Sequence, residues 1–265
     1  MTRVASPNLV LVPTDCRACS ARSVGMCEPF SIDELSTLEK LRSGTRVFRA
    51  GEDLLLQGDR ATTIYNLLDG WACSYELLED GGRQIHYFAL PGAMLGFHPD
   101  AGAVHSASVQ AVTDISVCEF DRQRLIDLAR QRPDLALRLT WLIARDELIL
   151  FDHLTSIGRR TARQRVAHLL LELLLRARRA APDAGETMRL PLTQTHIADA
   201  LGLTSVHVSR TLTQLRKENL VDLSDRLLRV IDPVGLAETA GLDPDVVLGQ
   251  RARGPGQRRA GHRPA

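Results

Sequence analysis

Residues 193–220, TQTHIADALGLTSVHVSRTLTQLRKENL, leave the chain little conformational freedom. Thr193 can cap a helix whose apolar positions Ile197, Ala198 and Leu201 lie together before Gly202 ends it. Thr204 caps the next helix, where Val208, Leu212 and Leu215 recur at helical spacing and turn inward. Ser205, His207, Ser209, Arg210, Thr213 and Gln214 then face outward. Helix, three-residue turn with glycine, helix is the helix-turn-helix unit, and the strands VDLS and RLLRVI around Asp225 supply a wing. Such a unit places its second helix in the major groove of double-stranded DNA. Arg210 is expected to read a base, because its forked guanidinium matches the two acceptors on a guanine edge. His207 and Ser209 are placed to reach phosphate or neighbouring bases, and Ser205, Val206 and Thr213 complete the candidate DNA-binding set.

The charge distribution agrees with a polyanionic partner for this half. Residues 1–157 hold 15 basic against 21 acidic side chains, whereas residues 158–232 hold 13 against 8. Upstream, glycine recurs between short runs such as TIYNLL, WACSYELL, RQIHYFAL and DISVCEF, the pattern of an all-β sandwich or jelly roll. EDGGRQ reads as a hairpin turn. A short amphipathic helix over 121–132 follows, and Pro133 can open a longer one running to about Ile157. In that helix Ile143, Glu147, Leu150, Leu154 and Ile157 step by four and three, as in the seam of a two-stranded coiled coil. Trp141, Ala144, Leu148 and Phe151 form a second apolar stripe. Two apolar faces call for two partners, the chain's own β-domain and a second copy of the chain. Gly158 is expected to separate this helix from the next, and residues 233–265, rich in Pro, Gly and Arg, read as a disordered tail.

The chain has five cysteines, three of them in CRACSARSVGMC. The N-terminal VASPNLVLVP is too short and proline-broken for a signal peptide, and the run HLLLELLL is interrupted by Glu172, so a cytoplasmic protein with no membrane segment is expected. In a reducing compartment clustered thiols bind metal or respond to redox state rather than form staples. Cys118 lies in DISVCEF on the strand face opposite Ile115 and Val117, free to meet a covering segment. Cys73 alternates with Trp71, Tyr75 and Leu77 and reads as a small core residue. No nucleophile and base pairing, no GxxxxGK loop and no metal-hydrolase His motif is present, which argues against an enzyme.

The stretches RAGEDLLLQGD, LLDGWACSYELLEDGGRQI, LPGAMLGF and IADALGLTSVHVSRTLTQL resemble the Crp/Fnr superfamily of transcription regulators, from Cys16 to about Pro233. The resemblance implies an α+β architecture: a cysteine-bearing segment (1–40), a β-roll sensor domain (41–120), a short helix and a dimerisation helix (121–157), a winged helix-turn-helix domain (158–232) and the tail (233–265). It implies a homodimer on a two-fold symmetric operator, with RNA polymerase as a further partner. Cyclic nucleotide is disfavoured, because the position of the phosphate-binding arginine is His105 and the companion glutamate is absent from GFHPD.

The cysteine pattern resembles instead the Fnr oxygen sensors, which hold one four-iron four-sulfur cluster per subunit. The implied ligands are Cys16, Cys19, Cys27 and Cys118. Zinc on the same thiolates, a thiol switch, or a small-molecule effector in the roll are the alternatives. Two departures from the family pattern matter. Leu150 stands near where Fnr-like sensors carry a seam aspartate, and Val206 replaces a glutamate that reads cytosine. Glu147, an acid in an otherwise apolar seam, is expected to weaken the dimer when no cluster is bound.

Overall fold

The computed structural model describes residues 15–23, 25–27, 30–98, 100, 102–180 and 185–244. Two four-stranded antiparallel sheets form the roll. One orders β1 (Arg42–Phe48), β8 (Ile115–Asp121), β3 (Thr63–Asp69) and β6 (Met94–Leu95). The other orders β2 (Asp53–Leu55), β7 (Ser108–Ala111), β4 (Ala72–Leu77) and β5 (Arg83–Ala89). Leu67, Ile115 and Val117 face Ala72, Ala89 and Ala111 across the sandwich core. Strand alternation sends the intervening residues the other way. Ile64, Leu68, Cys118 and Phe120 join a second core with Ala21, Phe30, Leu35 and Leu38 from the N-terminal segment. β3 is therefore covered on both faces, which explains its almost unbroken apolar run.

The EDGG turn closes as expected, with the Leu78 amide donating to the Gly82 carbonyl at 2.8 Å. The segment ahead of the roll adds a helix absent from the sequence reading, α1 (Ile32–Leu41), opened by a capping box between Ser31 and Glu34.

α2 (Arg122–Gln131) leads into α3 (Pro133–Arg159). Gly158 does not end α3: the helix continues through it to Arg159, and the chain turns at Arg160 instead. Gly158 lacks the positive φ of a helix-terminating glycine, and a Cβ there would meet nothing, so it sits in the last turn at small cost. The face that α3 lays on its own domain also differs from both stripes in the sequence. Leu135, Leu139 and Leu142 are buried against the second core. Ile143, Leu150 and Leu154 of the seam, and Trp141, Leu148 and Phe151 of the second stripe, are all exposed large apolar side chains in the single chain. The expectation that one stripe would pack on the chain's own roll is thus corrected: the roll takes a third face, and both stripes stay largely exposed in the single chain.

The C-terminal domain comprises α4 (Ala162–Ala180), β9 (Thr187–Arg189), α5 (Gln194–Leu201), α6 (Ser205–Lys217), β10 (Val221–Ser224), β11 (Leu227–Val230) and α7 (Pro233–Thr239). β9 adds a third strand to the wing, and Asp225 and Arg226, both at positive φ, make its turn. The boundary at 232 is corrected as well. Asp232 caps α7 with Pro233 in its first turn, and Leu236, Ala237 and Ala240 are fully buried, so residues 233–240 belong to the domain. Residues 245–265, the rest of the expected tail, lie outside the described residues.

Roll and C-terminal domain share one apolar core. Cys73, Ile85 and Phe88 from the outer face of β4 and β5 pack among Leu170, Leu174, Ile197 and Leu201. Polar contacts lock the same junction. His153 of α3 bonds the His86 carbonyl through Nδ1 at 2.9 Å and Glu172 of α4 through Nε2 at 2.8 Å. Arg176 donates to Glu172 at 2.9 Å and to the Phe88 carbonyl at 2.7 Å. Arg83 reaches Asp199 of α5 at 2.8 Å. Burial would lower the His153 pKa and raise that of Glu172, but the pair outweighs burial in both: His153 is raised, and Glu172, with Arg176 also beside it, is lowered.

Candidate metal centre and nucleic-acid interface

The N-terminal segment reaches the roll as three short 3-10 turns, Cys16–Ala18, Ser20–Ser23 and Gly25–Cys27. Gly25 (φ 64°) is what lets it lie flat, since a Cβ there would fall 1.7 Å from the Gly92 carbonyl oxygen. The segment crosses β3 and β8 at the place where Asn66 and Cys118 are register neighbours. Cys16, Cys19, Cys27 and Cys118 consequently line one pocket, walled by Leu38, Leu68 and Phe120 and completed by Arg22, Arg42 and Asn66.

The four thiols are close enough to influence one another in every pairing. Burial pushes Cys27 up to about 12, with Cys118 adding to it. Burial also raises Cys118, to about 11, and Cys16, in both cases against the Arg42 guanidinium, which bonds the Cys118 sulfur. Thiols held protonated in this way are poor nucleophiles. Among the described residues, no three His, Cys, Asp or Glu side chains converge tightly enough to ligate one ion.

Four thiols on one pocket are a donor set that an iron–sulfur cluster and zinc can both take. Tetrahedral zinc needs sulfurs about 3.8 Å apart, from a Zn–S bond of about 2.3 Å. A cubane takes each thiolate on a separate iron and spreads them farther. Four soft donors in a largely apolar wall, with Arg22 and Arg42 as the nearby positive charges, are compatible with an anionic iron–sulfur group. Cys73 is not part of this site. It is fully buried between the roll and the C-terminal domain.

A second cavity, about 420 Å³, opens in the roll beneath α3. His86, His98, His105, Ser74 and Ser106 line it from the strands, and Ile143, Asp146, Glu147 and Leu150 from the helix. No arginine or lysine is among the lining residues, so a phosphate would find no guanidinium there. Burial and the neighbouring His98 lower the His105 pKa, which keeps that imidazole neutral.

The candidate DNA-contacting side chains share one face of α6. Thr204 caps the helix through the His207 amide, and Val208, Thr211, Leu212 and Leu215 are buried beneath it. Ser205, Val206, His207, Arg210 and Thr213 are exposed and Ser209 is half-buried. The Thr213 hydroxyl donates to the Ser209 carbonyl of its own helix at 2.9 Å. Arg216 ties the helix to the wing through Asp222 and the Leu223 carbonyl.

Of the seam residues, Ile143, Glu147, Leu150 and Leu154 are exposed along α3 and Ile157 is half-buried. Residues that the sequence reading missed at these sites are Asn66, Arg22, Arg42 and Gly25. Asn66 alone carried a signal, as the one amide inside the apolar run TIYNLL.

A β-roll joined by a long helix with an exposed apolar face to a winged helix-turn-helix defines a DNA-binding transcription regulator. The comparisons with known proteins agree. The family model for a Crp-like helix-turn-helix domain matches residues 164–239, and that for a cyclic nucleotide-binding domain matches residues 45–132. The chain is 35% identical over 234 residues to the nitrogen fixation regulation protein FixK of Bradyrhizobium diazoefficiens, covering 86% of this chain and 95% of that one. It is 31% identical over 236 residues to the transcriptional activator protein FnrL of Cereibacter sphaeroides, covering 87% and 93%. The solved structure of FixK2 from Bradyrhizobium japonicum superposes with a TM-score of 0.68 at 31% identity, covering 74% of this chain and 96% of that one. The chain belongs to the Crp/Fnr family of transcription regulators, whose members bind DNA as homodimers. Among the described residues, no helix is long and apolar enough to cross a membrane.

Proposed function

We propose that this regulator senses oxygen or redox state through one four-iron four-sulfur cluster per subunit, held by Cys16, Cys19, Cys27 and Cys118. The observation that carries the reading is the convergence of a three-cysteine segment and one strand cysteine on a single apolar pocket with two arginines. When bound, the cluster supplies one-electron chemistry and sensitivity to oxygen. Three of the four thiols come from the Cys16–Cys27 segment and the fourth from β8, so a bound cluster would tie that segment to the roll. Occupancy and the packing of that segment are then one event.

The chain's own residues supply the route onward. The Gly25–Cys27 turn packs against α3. Cys118 shares its apolar core with Leu135, Leu139 and Leu142 of that helix. The flank of α3 beside that buried face carries Ile143, Leu150 and Leu154, exposed in the single chain and offered to a second copy of it, with Glu147 set among them. Two symmetry-related Glu147 carboxylates in an apolar seam resist desolvation, so the dimer depends on support from behind the helix. Glu147→Leu should tighten the metal-free dimer in sedimentation equilibrium. On the operator, Arg210 reads a base edge while Ser205, His207, Ser209 and Thr213 contact backbone or adjacent bases, and Val206 offers a methyl contact rather than an acceptor for cytosine. RNA polymerase is the expected further partner.

The deciding experiment is anaerobic purification with iron, sulfide and zinc analysis, a visible spectrum, and operator binding before and after exposure to air. Four irons and four sulfides per chain, bleaching in air together with loss of DNA binding, support the reading. One tightly held zinc with air-stable binding overturns it.

A further inference from the structure

Asn66 sits in the middle of β3, on the face it shares with Ile64 and Leu68, and is 1% exposed. That face is otherwise apolar, and the neighbours of Asn66 around the pocket include Leu38, Leu68 and Phe120. An amide in such a wall is costly unless its hydrogen bonds are made. Here the side chain makes one, from Nδ2 to the Cys27 sulfur at 3.8 Å, and leaves Oδ1 buried without a partner among the described residues. A thiol sulfur is a weak acceptor, whereas a metal-bound thiolate carries charge and accepts strongly. Leucine, which the strand uses two residues later, would fill the same place without the penalty. The amide is therefore explained by what Cys27 becomes when it holds a metal.

We infer that Asn66 is a positioning residue for the iron–sulfur cluster, donating an N–H···S hydrogen bond to Cys27 that sets the cluster's reduction potential and its lifetime in air; the inference rests on the cluster reading above. A donor to a ligand sulfur draws electron density from the thiolate. It weakens the Fe–S(Cys) bond slightly, favours the reduced cluster and makes the sulfur harder to oxidise. Asn66 also presses on the two ligands that come from different parts of the chain. It is register neighbour to Cys118 and bonds Cys27, so it holds the covering segment to the strand that supplies the fourth corner.

The test uses full-length protein reconstituted anaerobically with iron and sulfide. Asn66→Leu, which keeps the volume and removes the donor, should still load four irons. Its midpoint potential, from EPR-monitored titration, should be lower than that of the unmodified protein. Its Fe–S(Cys) Raman band should move to higher frequency, and its bleaching in air should be several-fold faster. A second measurement needs no substitution: asparagine labelled with ¹⁵N at the side-chain amide should show hyperfine coupling to the reduced cluster by ENDOR. If the unmodified protein loads four irons but shows no such coupling, or if Asn66→Leu keeps its potential, Raman band and bleaching rate, the inference falls and the cluster reading stands. If the unmodified protein takes up no cluster, both fall.

Discussion

The thiol pocket and the junction around His153 are both buried gatherings of ionisable side chains, and they are built on opposite principles. At the junction, opposite charges meet. Glu172 has His153 on one oxygen and Arg176 on the other, and the remaining donors of both partners end on the β5 carbonyls of His86 and Phe88. In the pocket, like meets like. Burial, with neighbouring thiols adding to it, raises the pKa of Cys16, Cys27 and Cys118, and the Asn66 amide keeps an oxygen without a partner among the described residues. A satisfied cluster can join modules, whereas an unsatisfied one is a candidate ligand site. Glu172 interrupts HLLLELLL for the first reason, and on the proposed function CRACSARSVGMC is compact for the second.

The largest separation between the two regions is expected from paired substitutions. Cys118→Ala should abolish iron loading while changing the urea stability of the metal-free protein by no more than about 1 kcal/mol, the cost of a small buried truncation. Glu172→Leu should leave iron loading intact and cost about 3 kcal/mol, because His153 and Arg176 lose the partner for which they were desolvated. Equal stability losses in the metal-free proteins would break the comparison.

Gly25→Ala comes next. The added methyl cannot coexist with the Gly92 carbonyl at 1.7 Å, so the cysteine segment must lift. Iron loading should fall several-fold while the junction, measured by hydrogen exchange of the α4 amides, stays as protected as before.

The smallest effect is that of pH on the junction. His153 is raised above its ordinary value, so its contribution is fully present below about pH 6.5 and is lost as pH rises through the raised pKa. Glu172 is lowered, so its contribution is present above about pH 4.5 and is lost as pH falls toward the lowered pKa. Metal-free stability should therefore pass through a maximum between the two, and the decline on the alkaline side should flatten in His153→Gln. An undiminished alkaline decline in that variant would place its origin elsewhere.

How far the sequence could be read depended on whether the signal was local. Thr193, Gly202, Thr204 and Pro133 announce helix ends because caps and left-handed turns are decided within four residues. The same kind of signal stands at Ser31 with Glu34 and at Asp232 with Pro233, where α1 and α7 begin. The stripes on α3 were legible as apolar, but not which of them the roll would cover. The roll takes Leu135, Leu139 and Leu142, on a face that heptad stepping from Ile143 does not mark.

By itself the sequence determined the helix-turn-helix, the alternation that turns Cys118 away from Ile115 and Val117, and the identity of the four thiols. Only the tertiary structure decided that the covering segment reaches Cys118, that Gly25 meets Gly92, that Asn66 points at Cys27, and that Glu172 answers to a histidine on another helix. The physical reason is range. Propensity, capping and periodicity act between near neighbours along the chain, whereas the partners of a buried thiol, amide or carboxylate are chosen by how whole sheets and helices close over one another.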